Sequence, residues 1–358
     1  MAGPEDIADL LVSLDTSIRD AMVRINASKK GIVLAVGPNR RLIATITDGD
    51  IRRAILSGIN LDSSLATLLS QREGTLRPVT ARPGSDNALL LQLMRENNLR
   101  HIPMVREDQV PVGLALLSDL IHISELKLGA VVMAGGHGTR LRPLTNETPK
   151  PMLPVGNRPL LEDTINHIRA SGIRHVHLTT HYKPEVIRSH FKNGNDFGVD
   201  ISYTDEAQPL GTAGALGNLP DVNDRLLVIN GDILTRLNFR AMLEFHEDHR
   251  ADITMVVREY AVTVPYGVVT TGEDGVSISG ITEKPTLRHF VNAGIYLLNQ
   301  GVSHLLGRGE RCDMPELIER ALAAGRRAVC FPVGEYWLDI GSKSDYEKAQ
   351  ADYMAGRV

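Results

Sequence analysis

Cysteine is scarce: Cys312 and Cys330 are the only two in 358 residues. Two thiols form neither a disulfide framework nor a zinc spacing, and they fit a reducing cytoplasm. Charge of one sign is also missing. The net charge is −4, so no global basic surface invites nucleic acid, and any attraction for phosphate must be local. No apolar run reaches the roughly eighteen residues of a membrane span, so no membrane partner is expected. The opening stretch MAGPEDIADLLVSLD is acidic and lacks the apolar core of a signal peptide. Twelve histidines occur without an H-E-x-x-H pattern. His175, His177 and His181 in HVHLTTHY read as polar residues of a strand surface. His246 and His249 in FHEDHR read as a solvated helix face.

What is present is the profile of a soluble globular chain, with 42% apolar and 23% charged residues. Its length suggests two or three domains. Residues 1–124 contain a repeat. Helix SIRDAMVRINASKK, strand GIVLAV and strand–helix LIATITDGDIRRAIL return about 69 residues later as SDNALLLQLMRENN, RHIPMV and PVGLALLSDLIHI. A duplicated helix–strand–strand–helix unit resembles a pair of cystathionine-β-synthase (CBS) domains. That resemblance implies an adenine nucleotide (AMP, ADP or ATP) as ligand. The family's strand end reads Gly, two apolar residues, Thr or Ser, two residues, Asp. The first copy has Thr47 and Asp50, with Ala44 at the glycine position. The second has Asp119, with Leu116 where the hydroxyl residue would stand. The aspartates are implied to hold a ribose. Paired CBS modules tend to self-associate, so a homo-oligomer is expected; packing or dimerisation alone is the alternative role.

A short connector, ISELKL, leads into residues 129–358, where strand and helix patterns alternate: GAVVMAGG, LLEDTINHIRASG, HVHLTTHY, PEVIRSHFKNG, VDISYTDE, RLLVINGD, FRAMLEFHEDH, ITMVVREY. That order predicts an α/β domain on a largely parallel sheet. Ligands then collect at the carboxyl ends of its strands.

The first of these strands ends in GGHGTRLRPLT. It is no P-loop, because Gly-Lys-Ser/Thr is missing, and it is no dinucleotide fingerprint, because Leu141 stands where Gly or Ala is needed. What remains is a flexible turn at Gly135, Gly136 and Gly138, followed at once by Thr139 and Arg140. Glycines let backbone N–H groups close on an anion. Arg140 offers a planar fork for phosphate oxygens. Lys150, held between Pro149 and Pro151, offers a second cation on a stiff segment.

GGHGTRLRPLT followed by PKPMLPVGNRPLL resembles the signature of sugar-1-phosphate nucleotidyltransferases. Further elements follow in that family's order: EAQPLGTAGAL, NGD, PYGVV, TEKP, NAGIY and WLDIG. The resemblance implies a Rossmann-like domain that joins a nucleoside triphosphate and a sugar 1-phosphate into a nucleotide-sugar, with release of pyrophosphate and with Mg²⁺ as cofactor. Implied catalytic residues are Arg140 at the triphosphate, Lys150 at the α-phosphate, and Asp232. Asp232 and Asp339 are the implied metal carboxylates. Gly135, Gly136, Gly138, Thr139, Glu206 and Gly211 would line the nucleotide. Gly267, Glu283, Lys284 and Asn292 would line the sugar phosphate.

Glu206 bears on the base. Relatives that use uracil or thymine commonly carry glutamine at this position. Guanine presents N1–H and an amino group side by side, which an acceptor-only carboxylate meets. GTP is therefore favoured over UTP or dTTP, and EAQPLGTAG resembles the matching stretch of mannose-1-phosphate guanylyltransferases. The sugar stays open among mannose, glucosamine or N-acetylglucosamine, and heptose. A nucleotide-sensing protein that no longer turns over is the rival from another class, and the intact charged set argues against it.

Overall fold

The computed structural model describes residues 4–71, 77–120, 128–206, 208–219 and 225–358. Most of the connector falls at 121–127, outside the described residues. Compactness divides the chain into Met1–Lys127 with Ser171–Ile173 and Asn238–Phe245, and Leu128–Ala170 with Arg174–Leu237 and His246–Val358.

The first unit runs β1 (Leu11–Val12), α1 (Ile18–Ser28), β2 (Ile32–Val36), β3 (Leu42–Thr47), α2 (Asp48–Leu56), α3 (Leu65–Ser70), α4 (Asn87–Glu96), β4 (His101–Val105), β5 (Pro111–Leu116) and α5 (Leu117–Leu120). The repeat is regular. Ile18 to Asn87, Ile32 to His101, Leu42 to Pro111 and Asp48 to Leu117 are each 69 residues apart. In both copies the two strands form an antiparallel pair. Ile32 and Leu34 of one copy and Leu114 of the other share a buried cluster with Ile7 and Leu10. Leu42 N also donates to Gln109 O at 2.9 Å. Among the described strands and α-helices of this unit, two lacked a sequence signal, the two-residue β1 and the six-residue α3. Both are too short to show a period.

From residue 129 the chain runs β6 (Gly129–Met133), β7 (Pro154–Val155), β8 (Arg158–Pro159), α6 (Leu160–Ala170), β9 (His175–Thr180), α7 (Pro184–Phe191), β10 (Asp200–Asp205), β11 (Arg225–Asn230), β12 (Ile233–Thr235), α8 (Phe239–Asp248), β13 (Ile253–Thr263), β14 (Val268–Thr271), β15 (Ile278–Thr282), β16 (Thr286–Asn299), α9 (Gln300–Ser303), α10 (Met314–Ala323), β17 (Ala328–Pro332), β18 (Trp337–Asp339) and α11 (Lys343–Met354); residues 239–245 of α8 group with the first unit and the other elements with the second. Seven strands form one sheet in the order β10-β9-β6-β11-β16-β13-β17. Only β16 runs against its neighbours, β11 and β13; the other pairings are parallel. The sheet is thus mostly parallel, as its βα alternation predicts. Residues 129–132 of β6 are buried, as a central parallel strand with both faces covered requires. On one face Met314, Leu317 and Ala321 of α10 pack on Val131, Val228, Tyr296 and Leu298.

The chain order places a switch point in this sheet. From β6 the chain moves outward through β9 to β10, then returns to β11 on the other side of β6. The carboxyl ends of β6 and β11 therefore open onto one crevice, the favoured ligand position in such sheets.

Candidate active site

The glycine turn and the NGD segment leave the sheet at that crevice. Met133, the last residue of β6, pairs with Asn230, the last of β11. Beyond them stand the glycine turn on one side and Gly231–Asp232 on the other, closed by Gly231 N donating to Met133 O at 2.9 Å. Gly138 has φ +60, and a Cβ there would lie 2.9 Å from Thr145 Cγ2 and 3.0 Å from Lys150 Cβ. Glycine is needed for both backbone and space, and it lets the turn close onto the lysine segment. Thr145 Oγ1 fixes the closure by donating to Gly138 O at 2.8 Å. Around Gly136 a Cβ would meet nothing within 4 Å, so backbone there stands open to an approaching anion. Thr139–Leu141 then forms a single 3-10 turn.

Lys150 heads a second 3-10 turn, with Pro149 before it and Pro151 within it. Its side chain is 9% exposed, and its Nζ lies 2.6 Å from Asp232 Oδ2. The Asp232 backbone carbonyl accepts from Ile340 N at 3.0 Å. Ile233 of β12 pairs with Asp339 of β18. Asp339 keeps access to solvent on one side. Its carboxyl nonetheless titrates above the ordinary carboxylate value, first because of partial burial and next because of the Asp232 carboxylate. Lys150 and Arg140 pull it the other way. Arg140 joins the group at Gly341, where a Cβ would lie 3.6 Å from Arg140 Nη1, 3.7 Å from Asp339 Oδ1 and 3.7 Å from Asp345 Oδ2.

An apolar floor holds these charges in place. Leu141, Leu153, Leu160, Leu234, Leu338, Ile340 and Ala349 form one buried cluster. Leu141 follows Arg140, Leu234 stands two residues after Asp232, and Leu338 and Ile340 flank Asp339. Burying each such side chain stabilises the fold by about 1.5–3 kcal/mol, so the charged neighbours inherit fixed positions.

Among the described residues, no group of three or more His, Cys, Asp or Glu side chains is arranged to hold a metal. Asp232 and Asp339 supply two hard carboxylates, and the charge of Asp232 makes Asp339 costlier to ionise. That donor set suits Mg²⁺, which binds through one or two carboxylates and completes its shell with phosphate and water.

Glu206, the residue expected to read the base, lies across the glycine turn. A Cβ on Gly135 would stand 3.3 Å from His181 Cβ and 3.7 Å from Glu206 Oε1. Glu206 Oε2 accepts from Leu210 N at 3.0 Å. One carboxylate oxygen thus has a backbone partner in its own loop, and Oε1 points to the glycine turn. Gly211 has φ +80 and no room for a side chain. His181 Nδ1 donates to Glu206 O at 2.7 Å, so it is part of this rim and not of a plain strand surface. His246 also differs from its sequence reading. It is 1% exposed, with Nδ1 2.8 Å from Thr254 Oγ1 and Nε2 3.1 Å from Asn299 Oδ1. A buried imidazole satisfied on both nitrogens replaces the expected solvated face.

Of the residues expected at the sugar phosphate, Gly267 and Glu283 are brought together. A Cβ on Gly267 would lie 3.0 Å from Glu283 Oε2. Glu283 and Lys284 are exposed, and Lys284 has φ +45. Asn292 on β16 donates to Tyr296 Oη at 2.6 Å and accepts from Gly294 N at 2.9 Å. It stands two residues before Gly294, where a Cβ would lie 2.7 Å from Asn230 Nδ2. In the first unit, Thr47 and Asp50 form a capping box on α2, and Asp50 also pairs with Arg53 at 2.5 Å. Asp119 is exposed, with Ser118 Oγ at 3.5 Å.

Residues 129–356 match the nucleotidyl transferase family, and residues 75–125 match the CBS domain. A mannose-1-phosphate guanylyltransferase of Mycobacterium tuberculosis is 35% identical over 236 residues, which is 64% of this chain and 66% of that protein. A mannose-1-phosphate guanyltransferase of Yarrowia lipolytica is 31% identical over 63% of this chain and 64% of its own length. The chain thus spans just under two thirds of these curated relatives. A solved structure described as a putative glucose-1-phosphate thymidylyltransferase from Bacillus anthracis matches with a TM-score of 0.51 and 25% identity, over 63% of this chain and 94% of that one. HddC from Yersinia pseudotuberculosis, complexed with GMP-PN, shares the fold with a TM-score of 0.50 at 24% identity, over 63% of this chain and 99% of its own.

Proposed function

This chain belongs to the nucleotidyl transferase family, and from that premise we propose that it transfers a guanylyl group from GTP to a sugar 1-phosphate, yielding a GDP-sugar and pyrophosphate. The carrying observation is the Lys150–Asp232 pair at the switch point, with Asp339 and Arg140 beside it. A sugar-phosphate oxygen attacks the α-phosphorus in line, a P–O bond forms, and the bond to the β-phosphate breaks. Nothing covalent to the protein is needed, so positioning and charge neutralisation carry the rate. The glycine turn and Thr139 cradle the triphosphate. Arg140 takes up charge on the departing pyrophosphate. Lys150, stiffened by its prolines, faces the α-phosphate. Mg²⁺ held by Asp232 and Asp339 would neutralise phosphate oxygens.

Glu206 and the guanylyltransferase relatives support guanine, and the same relatives support mannose 1-phosphate as the first acceptor to try. Gly267, Glu283, Lys284 and Asn292 are assigned to the sugar phosphate. Residues 1–124 are assigned to a CBS pair that senses an adenine nucleotide and favours self-association. Cys312 and Cys330 are both free thiols, which supports a reducing cytoplasm. No helix among the described residues is long and apolar enough to cross a membrane.

Mixing GTP and Mg²⁺ with mannose, glucosamine, N-acetylglucosamine and heptose 1-phosphates, singly, tests the proposal. Pyrophosphate release that needs all three components is expected. Nucleotide binding without release from any pair would favour a sensing protein instead.

A further inference from the structure

Asp313 occupies the N-cap position of α10 but makes no side-chain cap bond to that helix. An N-cap aspartate ordinarily accepts from its own first turn. This one reaches across the sequence. Its Oδ1 accepts from Thr212 N at 2.9 Å and from Thr212 Oγ1 at 3.4 Å, 101 residues away. The exchange is reciprocal, because Met314 N, in the first turn of α10, donates to Thr212 Oγ1 at 2.8 Å. Thr212 thus supplies the acceptor that Asp313 has turned elsewhere.

Backbone bonds extend this junction on both sides. Cys312 N donates to Leu210 O at 2.9 Å, and Ala213 N and Gly214 N donate to Cys312 O at 2.9 and 3.0 Å. The approach is close enough to dictate residue type: a Cβ on Gly211 would lie 2.5 Å from Cys312 O and 2.7 Å from Asp313 Oδ1. From Leu210 the path continues to the base side, since Leu210 N donates to Glu206 Oε2. A continuous run of hydrogen bonds and peptide units therefore joins the start of α10 to the Glu206 carboxylate.

We propose that Asp313, acting through Thr212, is a positioning residue that fixes the loop carrying Glu206 and so sets base selectivity. This rests on the guanylyl-transfer reading above. Asp313 touches no reacting atom. Its effect belongs in nucleotide binding and choice, with little in the chemical step.

The test compares wild type with Asp313→Asn, Asp313→Ala and Thr212→Val, by steady-state pyrophosphate release and by calorimetry with GTP, UTP, dTTP, CTP and ATP. Asparagine keeps the Oδ1 acceptor and should stay within about twofold of wild type. Alanine leaves Thr212 N without its partner. KM for GTP should rise about five- to tenfold, kcat should stay within about threefold, and the GTP-to-UTP ratio of kcat/KM should fall about fivefold. Thr212→Val should move the same quantities the same way, and melting temperatures identify any variant that has simply lost its fold. An unchanged KM and ratio in a folded Asp313→Ala would overturn the assignment, as would an asparagine variant as impaired as alanine. Wild type that binds no triphosphate overturns both readings. Wild type that prefers UTP overturns the guanine assignment alone, and the same split in KM and kcat is then required with UTP.

Discussion

Lys150 Nζ lies 2.6 Å from Asp232 Oδ2, although 82 residues separate the two in sequence. The lysine comes from a proline-stiffened turn and the aspartate from the end of a central strand. Neither segment alone marks the other as its partner; the return of β11 to the side of β6 brings them together.

From that pairing follows the first prediction. Asp232→Asn and Asp339→Asn should each lower turnover by about a hundredfold or more, because charge neutralisation at the phosphates is worth several kcal/mol. The melting temperature should change little for Asp339→Asn, whose carboxylate reaches solvent, and fall for Asp232→Asn, which leaves the buried Lys150 ammonium without its charged partner. Steady-state pyrophosphate release with saturating GTP and Mg²⁺ checks it. Turnover within about threefold of wild type would remove that residue from the metal site.

Glu206→Gln should shift preference from GTP towards UTP or dTTP. Replacing an acceptor-only group by an amide turns one acceptor into a donor and leaves a guanine N–H poorly matched, at a cost of about 1–3 kcal/mol. The structure sharpens the expectation: Oε2 is bonded to Leu210 N, so loss of that acceptor would also loosen the loop. The ratio of specificity constants for the two triphosphates, before and after the change, is the measurement. A constant ratio means the base is read elsewhere.

Much of this fold was legible because its signals are local or periodic. The 69-residue repeat, the βα alternation and the glycine turn each show within a short window. The Arg140, Lys150, Asp232 and Asp339 group was legible through motif order, which stands in for the unseen tertiary contacts. What escaped was partnership. His246 looked solvated because its helix carries charge on both sides of it, yet it bonds Thr254 and Asn299 in the interior. His181 looked like one more alternating histidine, yet it holds the Glu206 carbonyl. Asp313 belongs to no motif, and nothing near it in sequence points to Thr212.

Burial pushes the His177 imidazole down to about 4, while its nitrogens lie 2.7 Å from Ser202 Oγ and 2.8 Å from Thr204 Oγ1. The sign follows from linkage. Between the ordinary value of 6.5 and about 4 the unfolded chain binds this proton and the folded chain does not. Stability should therefore be full above pH 6.5 and fall as the pH drops towards 4. Burial lowers His246 as well, so it adds to the same slope. Melting curves from pH 7.5 to 4.5 should show a smaller loss for His177→Gln than for wild type. Parallel losses would mean that His177 takes up its proton without cost in the folded state.

The CBS pair should bind an adenine nucleotide through Asp119 more than through Asp50. Sequence favoured the first copy, which has both Thr47 and Asp50, over the second, where Leu116 replaces the hydroxyl residue. The structure shows how the first copy uses those groups. Asp50 Oδ2 accepts from Thr47 N at 2.9 Å and Thr47 Oγ1 at 2.8 Å, and Oδ1 faces Arg53. A ribose would have to displace bonds that hold the start of α2. Among the described residues, Asp119 carries one long contact, from Ser118 Oγ, and it is open to solvent. Asp50→Ala should cost about 1 kcal/mol of stability through the lost cap and leave nucleotide binding largely intact. Asp119→Ala should do the reverse. Calorimetry with AMP, ADP and ATP on wild type and both variants separates the cases, and binding lost only in Asp50→Ala would return the site to the first copy. No heat from wild type with any adenine nucleotide would leave the module a packing or dimerisation platform. If binding occurs, coupling to the transferase should amount to about 1–3 kcal/mol, a change in GTP affinity of roughly 5- to 150-fold. Binding with unaltered GTP affinity and turnover would keep the nucleotide site and defeat its regulatory role.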